Sequence, residues 1–207
     1  MTLRLYDYLP SGNGYKVRLM LQFLGFAYEL VERDIVEGET RTPEFLAMNP
    51  NGRIPLLELE DGTHLAESNA IQFYLAEGTP YLPDDRLDRA RVLQWMFFEQ
   101  YSHEPNIAVV RFWMQHGGMT PERDAMLPAK RAAGYAALQV MEEHLANRDF
   151  FVGKSCTIAD IALYAYSHVA DEGGFDLSGY PAVGNWLERI ASLPGYVPIT
   201  FRAGGSP

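Results

Sequence analysis

The chain has 207 residues, 47% of them hydrophobic and 13% aromatic, so it can bury a substantial core in one or two domains. Its formal net charge of −10 argues against nucleic-acid binding, which requires clustered lysine and arginine, and the sequence contains no such cluster. No uncharged apolar run approaches the roughly 18 residues of a membrane helix, and the N-terminus lacks a signal-peptide core. Cys156 is the only cysteine, which excludes an internal disulfide, and we expect it to pack as a small hydrophobe. We therefore expect a soluble, cytoplasmic protein.

The first third of the chain has the pattern of an α/β unit. Leu3 and Leu5 alternate with Arg4 and Tyr6, which predicts a strand, and a helix that ends near Gly25 follows. A second strand over residues 28–33 should lie parallel to the first, because strand, helix and strand form a right-handed crossover. The later elements are predicted to be a short helix opening at Pro43, an antiparallel hairpin of residues 54–59 and 63–66, and a helix after Asn69.

The pattern changes after residue 78. Residues 79–86 contain prolines without apolar periodicity, which indicates a linker, and no strand pattern follows them. Helices are predicted over residues 87–116, bent near Pro105, and over 121–147, 157–169 and 181–193. Thr157 and Asp160 have the spacing of a reciprocal helix cap, a folding feature. The predicted domains are therefore an α/β domain over 1–78, a linker over 79–86 and an all-helical domain over 87–207.

The glycine-rich loop before the first helix is the candidate for chemistry. Ser11 and Asn13 stand where unpaired backbone N–H groups make the helix end partly positive. A hydroxyl, an amide and the helix end could therefore converge on one anion. The same residues also allow a simpler interpretation, in which Asn13 only caps the helix and Ser11 only turns the loop.

Several motifs, taken in order, resemble those of bacterial cytosolic glutathione S-transferases over nearly the whole chain. They are the strand–loop–helix with Ser11 and Asn13, residues 49–55 (Asn-Pro-Asn-Gly-Arg-Ile-Pro), Glu67-Ser68, residues 157–160 (Thr-Ile-Ala-Asp) and residues 180–186 (Tyr-Pro-Ala-Val-Gly-Asn-Trp). The loop resembles the nu-like branch, in which some members reduce disulfides. The resemblance implies a thioredoxin-like N-terminal domain followed by an all-helical C-terminal bundle domain.

The resemblance also implies glutathione as co-substrate. Ile54, before a cis Pro55, would pair its backbone with the cysteinyl part of glutathione, like an added strand. Glu67 would take the γ-glutamyl ammonium, and Ser68 at a helix start would take the α-carboxylate.

At the glycyl end, the resemblance implies contacts with Arg53 and Thr40. A solvated surface arginine is an alternative for Arg53, and Thr40 is shorter than the amide or cation that relatives often place there. Members of the family are usually homodimers, so a homodimer is expected.

Activation of the thiol is expected from Ser11 and Asn13, with Tyr8 and Tyr6 as competing donors. Lowering a thiol pKa from ~8.5 to ~6.5 requires roughly 2.7 kcal/mol, which one or two charge-assisted hydrogen bonds and a helix end can supply without a metal. The predicted function is a glutathione transferase whose bound thiolate attacks an electrophilic small molecule. The alternatives are a glutathione-dependent disulfide-bond reductase and a non-catalytic glutathione-binding module. Aromatic residues named for the apolar wall of the second-substrate site are Tyr15, Tyr101, Phe112 and Trp113.

Overall fold

Residues 2–203 are described by a computed structural model, and they form two compact units. The first unit contains residues 2–77 together with 194–203, and the second contains residues 78–193. The segment from Pro194 had been predicted as part of the helical domain. It belongs to the first unit because its backbone carbonyls accept hydrogen bonds from Tyr15 and Arg18.

The first unit is built on a four-stranded mixed sheet. Its elements in chain order are β1 (Leu3–Asp7), α1 (Gly12–Phe23), β2 (Tyr28–Glu32), a 3-10 turn (Glu39–Arg41), α2 (Pro43–Met48), β3 (Leu56–Glu58), β4 (His64–Ala66) and α3 (Ser68–Ala76). The strand order is β2-β1-β3-β4, with β1 parallel to β2 and antiparallel to β3, and β3 antiparallel to β4. Both the predicted parallel crossover and the predicted hairpin are confirmed.

Side chains alternate between the two faces of this sheet, as a strand requires. Tyr6 and Leu56 share one face with Phe45 of α2, and the Tyr6 ring meets the Phe45 ring edge-on at 6.2 Å between centroids. Leu5 and Leu57 lie on the opposite face and are completely buried. Each such leucine contributes roughly 1.5–3 kcal/mol of burial free energy. The sheet is therefore covered on both faces, and α1 packs against α3.

Within the described residues of the second unit, 78–193, all the regular elements are helices. Its helices are α4 (Arg86–Phe98), a π-helical turn (Glu99–His103), α5 (Glu104–Gln115), α6 (Pro121–Leu145), α7 (Ile158–Ser167), a 3-10 turn (Ala170–Gly173) and α8 (Pro181–Ala191). One bent helix had been predicted where the structure has α4, the π turn and α5. Pro105, in the first turn of α5, lacks the N–H that would continue a regular helix, and the wider turn absorbs the break.

Every residue of α7 is buried, as its apolar sequence predicted. The predicted reciprocal cap at its start is confirmed, because the Asp160 N–H donates to the Thr157 side chain and the Thr157 N–H donates to Asp160 Oδ2 at 2.9 Å. The Thr157 hydroxyl also donates to Asp160 Oδ2, at 2.9 Å. Asp160 Oδ1 also accepts from Phe151 N–H at 3.0 Å and from Trp186 Nε1 at 3.1 Å. This carboxylate therefore joins three segments of the helical core. None of the helices within residues 2–203 is long and apolar enough to cross a membrane.

Candidate active site at the Ser11 loop

Strand register brings the predicted site residues to one end of the sheet, where β1 ends. Tyr6 of β1 lies opposite Leu56 of β3, and Leu56 lies opposite Ala66 of β4. The end of β1, the beginning of β3 and the end of β4 are therefore neighbours, since adjacent strands are only ~4.8 Å apart. The residues that adjoin these three strand ends are the Ser11–Gly14 loop, Ile54-Pro55 and Glu67-Ser68.

Ser11 is the N-cap of α1. Its backbone is extended, with φ −72° and ψ 126°, and its Oγ accepts a hydrogen bond from Gly14 N–H at 3.4 Å. The interpretation in which Asn13 caps this helix is therefore wrong, because Asn13 already lies inside α1. Since the Ser11 oxygen acts as the acceptor in the cap, its hydroxyl hydrogen can be donated to an anion in front of the helix.

Asn13 and Ser68 connect the beginnings of α1 and α3. Ser68 donates its hydroxyl to Asn13 Oδ1 at 3.2 Å, and only 6% of Ser68 is exposed. The N-cap position of α3 is occupied by Glu67, and Ser68 is the first residue of the helix. Neither helix, both fully within the described residues, has an acidic residue in its first turn. The partly positive N-termini of the two helices therefore meet beside three polar side chains, an arrangement that favours an anion.

Glu67 has an unusual backbone conformation. Within residues 2–203, it is the one non-glycine residue with positive φ, at 70° with ψ 112°. Such a conformation costs about 1–3 kcal/mol and is found most often at binding and active sites. The side chain is exposed, directly after the end of β4. A strained backbone under an exposed carboxylate indicates a binding role for Glu67 and not a stabilising one.

The Ile54–Pro55 peptide bond is cis, as the resemblance implied. Pro55 is buried, whereas Ile54 is partly exposed and lies just outside the β3 ladder that begins at Leu56. An extended peptide could therefore pair with the Ile54 backbone in the manner of an added strand.

The two residues predicted at the glycyl end differ in exposure. Arg53 is exposed, and its carbonyl accepts a hydrogen bond from Asn49 Nδ2 at 2.8 Å, which holds the backbone before Ile54. Thr40 lies in the 3-10 turn and is only 4% exposed, so it offers little surface to a ligand. The binding roles of both residues stay predictions.

The tyrosines near the loop are held differently. Tyr6 donates its hydroxyl to Glu58 Oε2 at 2.8 Å, and burial followed by this bond raises its pKa. Burial, with Asp34 and Glu32 nearby, raises the pKa of Tyr8. Both phenols therefore stay protonated at neutral pH, and Tyr6 is already committed to Glu58. Tyr15, which was predicted to line an apolar wall, is completely buried and donates its hydroxyl to Val197 O at 2.6 Å.

Two charged residues behind the loop lie outside the set of site residues that the sequence predicts. Asp7, the last residue of β1, and Arg18 of α1 form an ion pair at 2.8 Å, and neither side chain has any exposure. Burial raises the pKa of Asp7 to about 6, against the attraction of Arg18. A basic residue within the apolar stretch from Val17 to Leu21 was the available signal in the sequence.

Comparison with known proteins defines the class. The N-terminal domain model of the glutathione S-transferases matches residues 1–77, and the C-terminal domain model of the same family matches residues 95–194. The chain belongs to the glutathione S-transferase family, with a thioredoxin-like domain followed by a helical domain. A solved glutathione S-transferase from Pseudomonas fluorescens Pf-5 is 53% identical, with a TM-score of 0.94 over 96% of this chain and 99% of that chain.

Other relatives differ in their named activities. The disulfide-bond oxidoreductase YfcG of Escherichia coli K12 is 32% identical over 90% of this chain and 89% of its own length. A maleylacetoacetate isomerase of Rhizobium meliloti is 36% identical over 93% and 92%. A glutathione transferase from Burkholderia graminis, solved with two glutathione molecules per subunit, is 29% identical, with a TM-score of 0.82 over 94% and 85%.

Proposed function

We propose that this protein is a glutathione transferase that binds glutathione at the end of the sheet where β1 ends, and activates its thiol at the Ser11 loop. The observation that carries the proposal is the Ser68–Asn13 hydrogen bond beside the Ser11 cap. This bond joins two helix N-termini, and three polar side chains lie with them at the end of the sheet where the Ile54 backbone can pair with an extended peptide. Glutathione is such a peptide, and it carries a thiol between two anionic ends.

The two ends of glutathione find complementary partners in this arrangement. Glu67 takes the γ-glutamyl ammonium, and the α-carboxylate meets the N–H groups at the beginning of α3. The Ser68 hydroxyl joins them when it turns from Asn13 Oδ1 to the carboxylate. The cysteinyl backbone pairs with Ile54 before Pro55. The glycyl carboxylate lies toward the exposed Arg53. Thr40 is the second residue proposed there, with only 4% of its surface exposed for contact.

Ser11 and Asn13 would stabilise the thiolate. The Ser11 hydroxyl and the Asn13 amide nitrogen donate to the sulfur, and the N-terminus of α1 adds its partial positive charge. Two such bonds at about 1.5–3 kcal/mol each exceed the ~2.7 kcal/mol needed to lower a thiol pKa by about two units. The thiol proton leaves to solvent. The sulfur then forms a bond to the electrophilic carbon of a small hydrophobic substrate as the leaving group departs with its electron pair.

A second candidate function is glutathione-dependent reduction of disulfides. It is favoured by the likeness to YfcG and by the second glutathione in the Burkholderia graminis structure. Both functions use the same thiolate, so the substrate separates them. Activity with hydroxyethyl disulfide and none with chlorodinitrobenzene would replace the transferase proposal by the reductase. The reverse result would support the transferase.

The test of thiol activation is an ultraviolet titration of the glutathione complex against pH. We expect a bound thiol with a pKa about two units below its solution value in the wild type. The pKa should rise in Ser11→Ala and Asn13→Ala and stay low in Tyr8→Phe. A pKa that rises only in Tyr8→Phe would move the activating role to Tyr8. Binding with an unshifted pKa in all proteins would leave a non-catalytic glutathione-binding module.

We also propose a homodimer. On the helical unit, Phe97 and Tyr101 are 68% and 88% exposed, and large exposed aromatic residues are typical of association surfaces. Sedimentation velocity of the wild type and of Phe97→Ser tests the assignment. We expect a dimer that the substitution weakens, whereas a monomer at micromolar concentration would contradict it. The cytoplasmic location stays a prediction.

A further inference from the structure

Arg18 is a buried cation that contacts three separate segments of the first unit. Its Nε donates to Asp7 Oδ2 at 2.8 Å, and Asp7 Oδ1 also accepts from Tyr8 N–H at 2.7 Å. Its Nη2 donates to Leu9 O at 2.6 Å, two residues before Ser11. One guanidinium therefore holds both the end of β1 and the beginning of the Ser11 loop.

The third segment is the chain after Pro194. Arg18 Nη1 donates to Ile199 O at 2.6 Å and to Phe201 O at 3.2 Å. Tyr15, one helical turn before Arg18, donates its hydroxyl to Val197 O at 2.6 Å. The segment from Val197 to Phe201 thus binds α1 through its backbone carbonyls, whichever side chains it carries.

These contacts are mutually dependent. A buried guanidinium is strongly destabilising unless its N–H groups are paired, and the chain end supplies two of the acceptors. Without them, Nη1 would have to turn toward other acceptors or toward water. Because the guanidinium is planar and rigid, such a turn would also move Nη2, which holds Leu9 O.

Leu9 in turn bears on the position of Ser11. Ser11 N–H donates to Tyr8 O at 2.7 Å, and Ser11 O accepts from Tyr15 N–H at 2.9 Å. The loop is therefore fixed on one side by α1 and on the other by Arg18 through Leu9. A hydroxyl must lie within hydrogen-bond distance of a sulfur to stabilise its negative charge, so a small shift of this loop changes that bond.

We propose that Arg18 is a positioning residue for the Ser11 hydroxyl, and that Val197–Phe201 is a working part of the active site, because it completes the hydrogen bonds of Arg18. The inference rests on the proposed function. It predicts that weakening contacts far along the sequence from Ser11 changes the chemistry of the thiol. A purely structural ion pair would change only stability.

The experiment compares Arg18→Lys and Tyr15→Phe in the full-length protein. A lysine keeps the charge, but one ammonium cannot serve Asp7, Leu9 and the chain end together. Tyr15→Phe removes the hydroxyl that donates to Val197 O and conserves the ring. Arg4→Lys is the matched control, because Arg4 is half-exposed in an ion pair with Glu29 on the same unit.

We expect Arg18→Lys to raise the pKa of the thiol of bound glutathione. It should lower kcat roughly tenfold, which corresponds to the loss of one charge-assisted hydrogen bond, and leave KM for glutathione nearly unchanged. Tyr15→Phe should act in the same direction by roughly threefold, as expected for a neutral hydrogen bond, and Arg4→Lys should have no effect. Hydrogen exchange at the Ser11 amide should quicken in the first two variants, with or without glutathione.

Each outcome decides the inference. Lower thermal stability in both variants, with thiol pKa, kcat and Ser11 exchange as in the wild type, would overturn it. If Arg18→Lys does not fold, the same readouts on Tyr15→Phe decide. An unshifted thiol pKa in the wild type would refute the proposed function instead. In that case, unchanged Ser11 exchange in the variants would separately refute the positioning role.

Discussion

Gly14 is the position where one methyl group tests the packing behind the Ser11 loop. A Cβ built on its backbone would lie 1.5 Å from Asp7 Oδ1 and 2.0 Å from Asp7 Cγ. The carboxylate cannot withdraw without losing its bonds to Arg18 and to Tyr8 N–H, at 2.8 and 2.7 Å. Gly14→Ala must therefore displace a buried ion pair.

The expected cost of Gly14→Ala follows from two opposing effects. In a helix, alanine is more stable than glycine by about 1 kcal/mol, whereas disrupting a buried ion pair costs about 3–5 kcal/mol, so the net loss should be about 2–4 kcal/mol. In an Asp7→Ala background the carboxylate is absent, and Gly14→Ala should be neutral or stabilising by up to ~1 kcal/mol.

Urea unfolding followed by far-ultraviolet circular dichroism measures the unfolding free energy of the four proteins in this double-mutant cycle. We expect a coupling free energy of at least about 2 kcal/mol between positions 7 and 14. An equal cost of Gly14→Ala in both backgrounds would contradict the clash with Asp7. A Gly14→Ala protein as stable as the wild type would refute it equally.

Three further predictions concern separate residues. Glu67→Gly should raise the unfolding free energy by roughly 1 kcal/mol, because glycine tolerates the positive φ, yet weaken glutathione binding measured by calorimetry; a less stable variant would contradict this. Cys156 should be inert to Ellman's reagent until the protein unfolds, since burial raises its thiol pKa well above the usual range; rapid modification of the native protein would show otherwise. Burial lowers the pKa of His168 from 6.5 to about 4, so the unfolded chain binds its proton first as pH falls. Its contribution of about 3 kcal/mol is present above pH 6.5 and is lost on acidification toward pH 4. Urea unfolding across this range should show a shallower pH slope for His168→Gln, and an equal slope would exclude His168 as the source.

Local patterns predicted most of the elements, because strand alternation, helical periodicity and turn residues act over a few positions. The Asp61-Gly62 hairpin and the Thr157–Asp160 cap are examples, and both depend on contacts between near neighbours. The bend near Pro105 was predicted, but its form as a π turn was not. A proline breaks the regular ladder, and the surrounding packing then selects the replacement.

The candidate site was predicted in its composition and only partly in its geometry. Ser11, Asn13 and Ser68 were all named from the sequence. The Ser11 cap is a local contact with Gly14, whereas the bond from Ser68 to Asn13 depends on how α1 and α3 pack. The side chains of Ser, Asn and Asp serve equally well as caps, turns or ligands, so their identities do not determine their roles.

By itself, the sequence determined an α/β domain followed by helices, a polar loop at the beginning of a core helix, and a family resemblance carried by short ordered motifs. Only the tertiary structure decided that Arg18 is buried against Asp7 and that the chain end returns to hold it. The physical reason is distance along the chain. Arg18 and Ile199 are 181 residues apart, and the acceptor is a backbone carbonyl that every residue possesses. No local pattern of side chains in the sequence can predict such a contact.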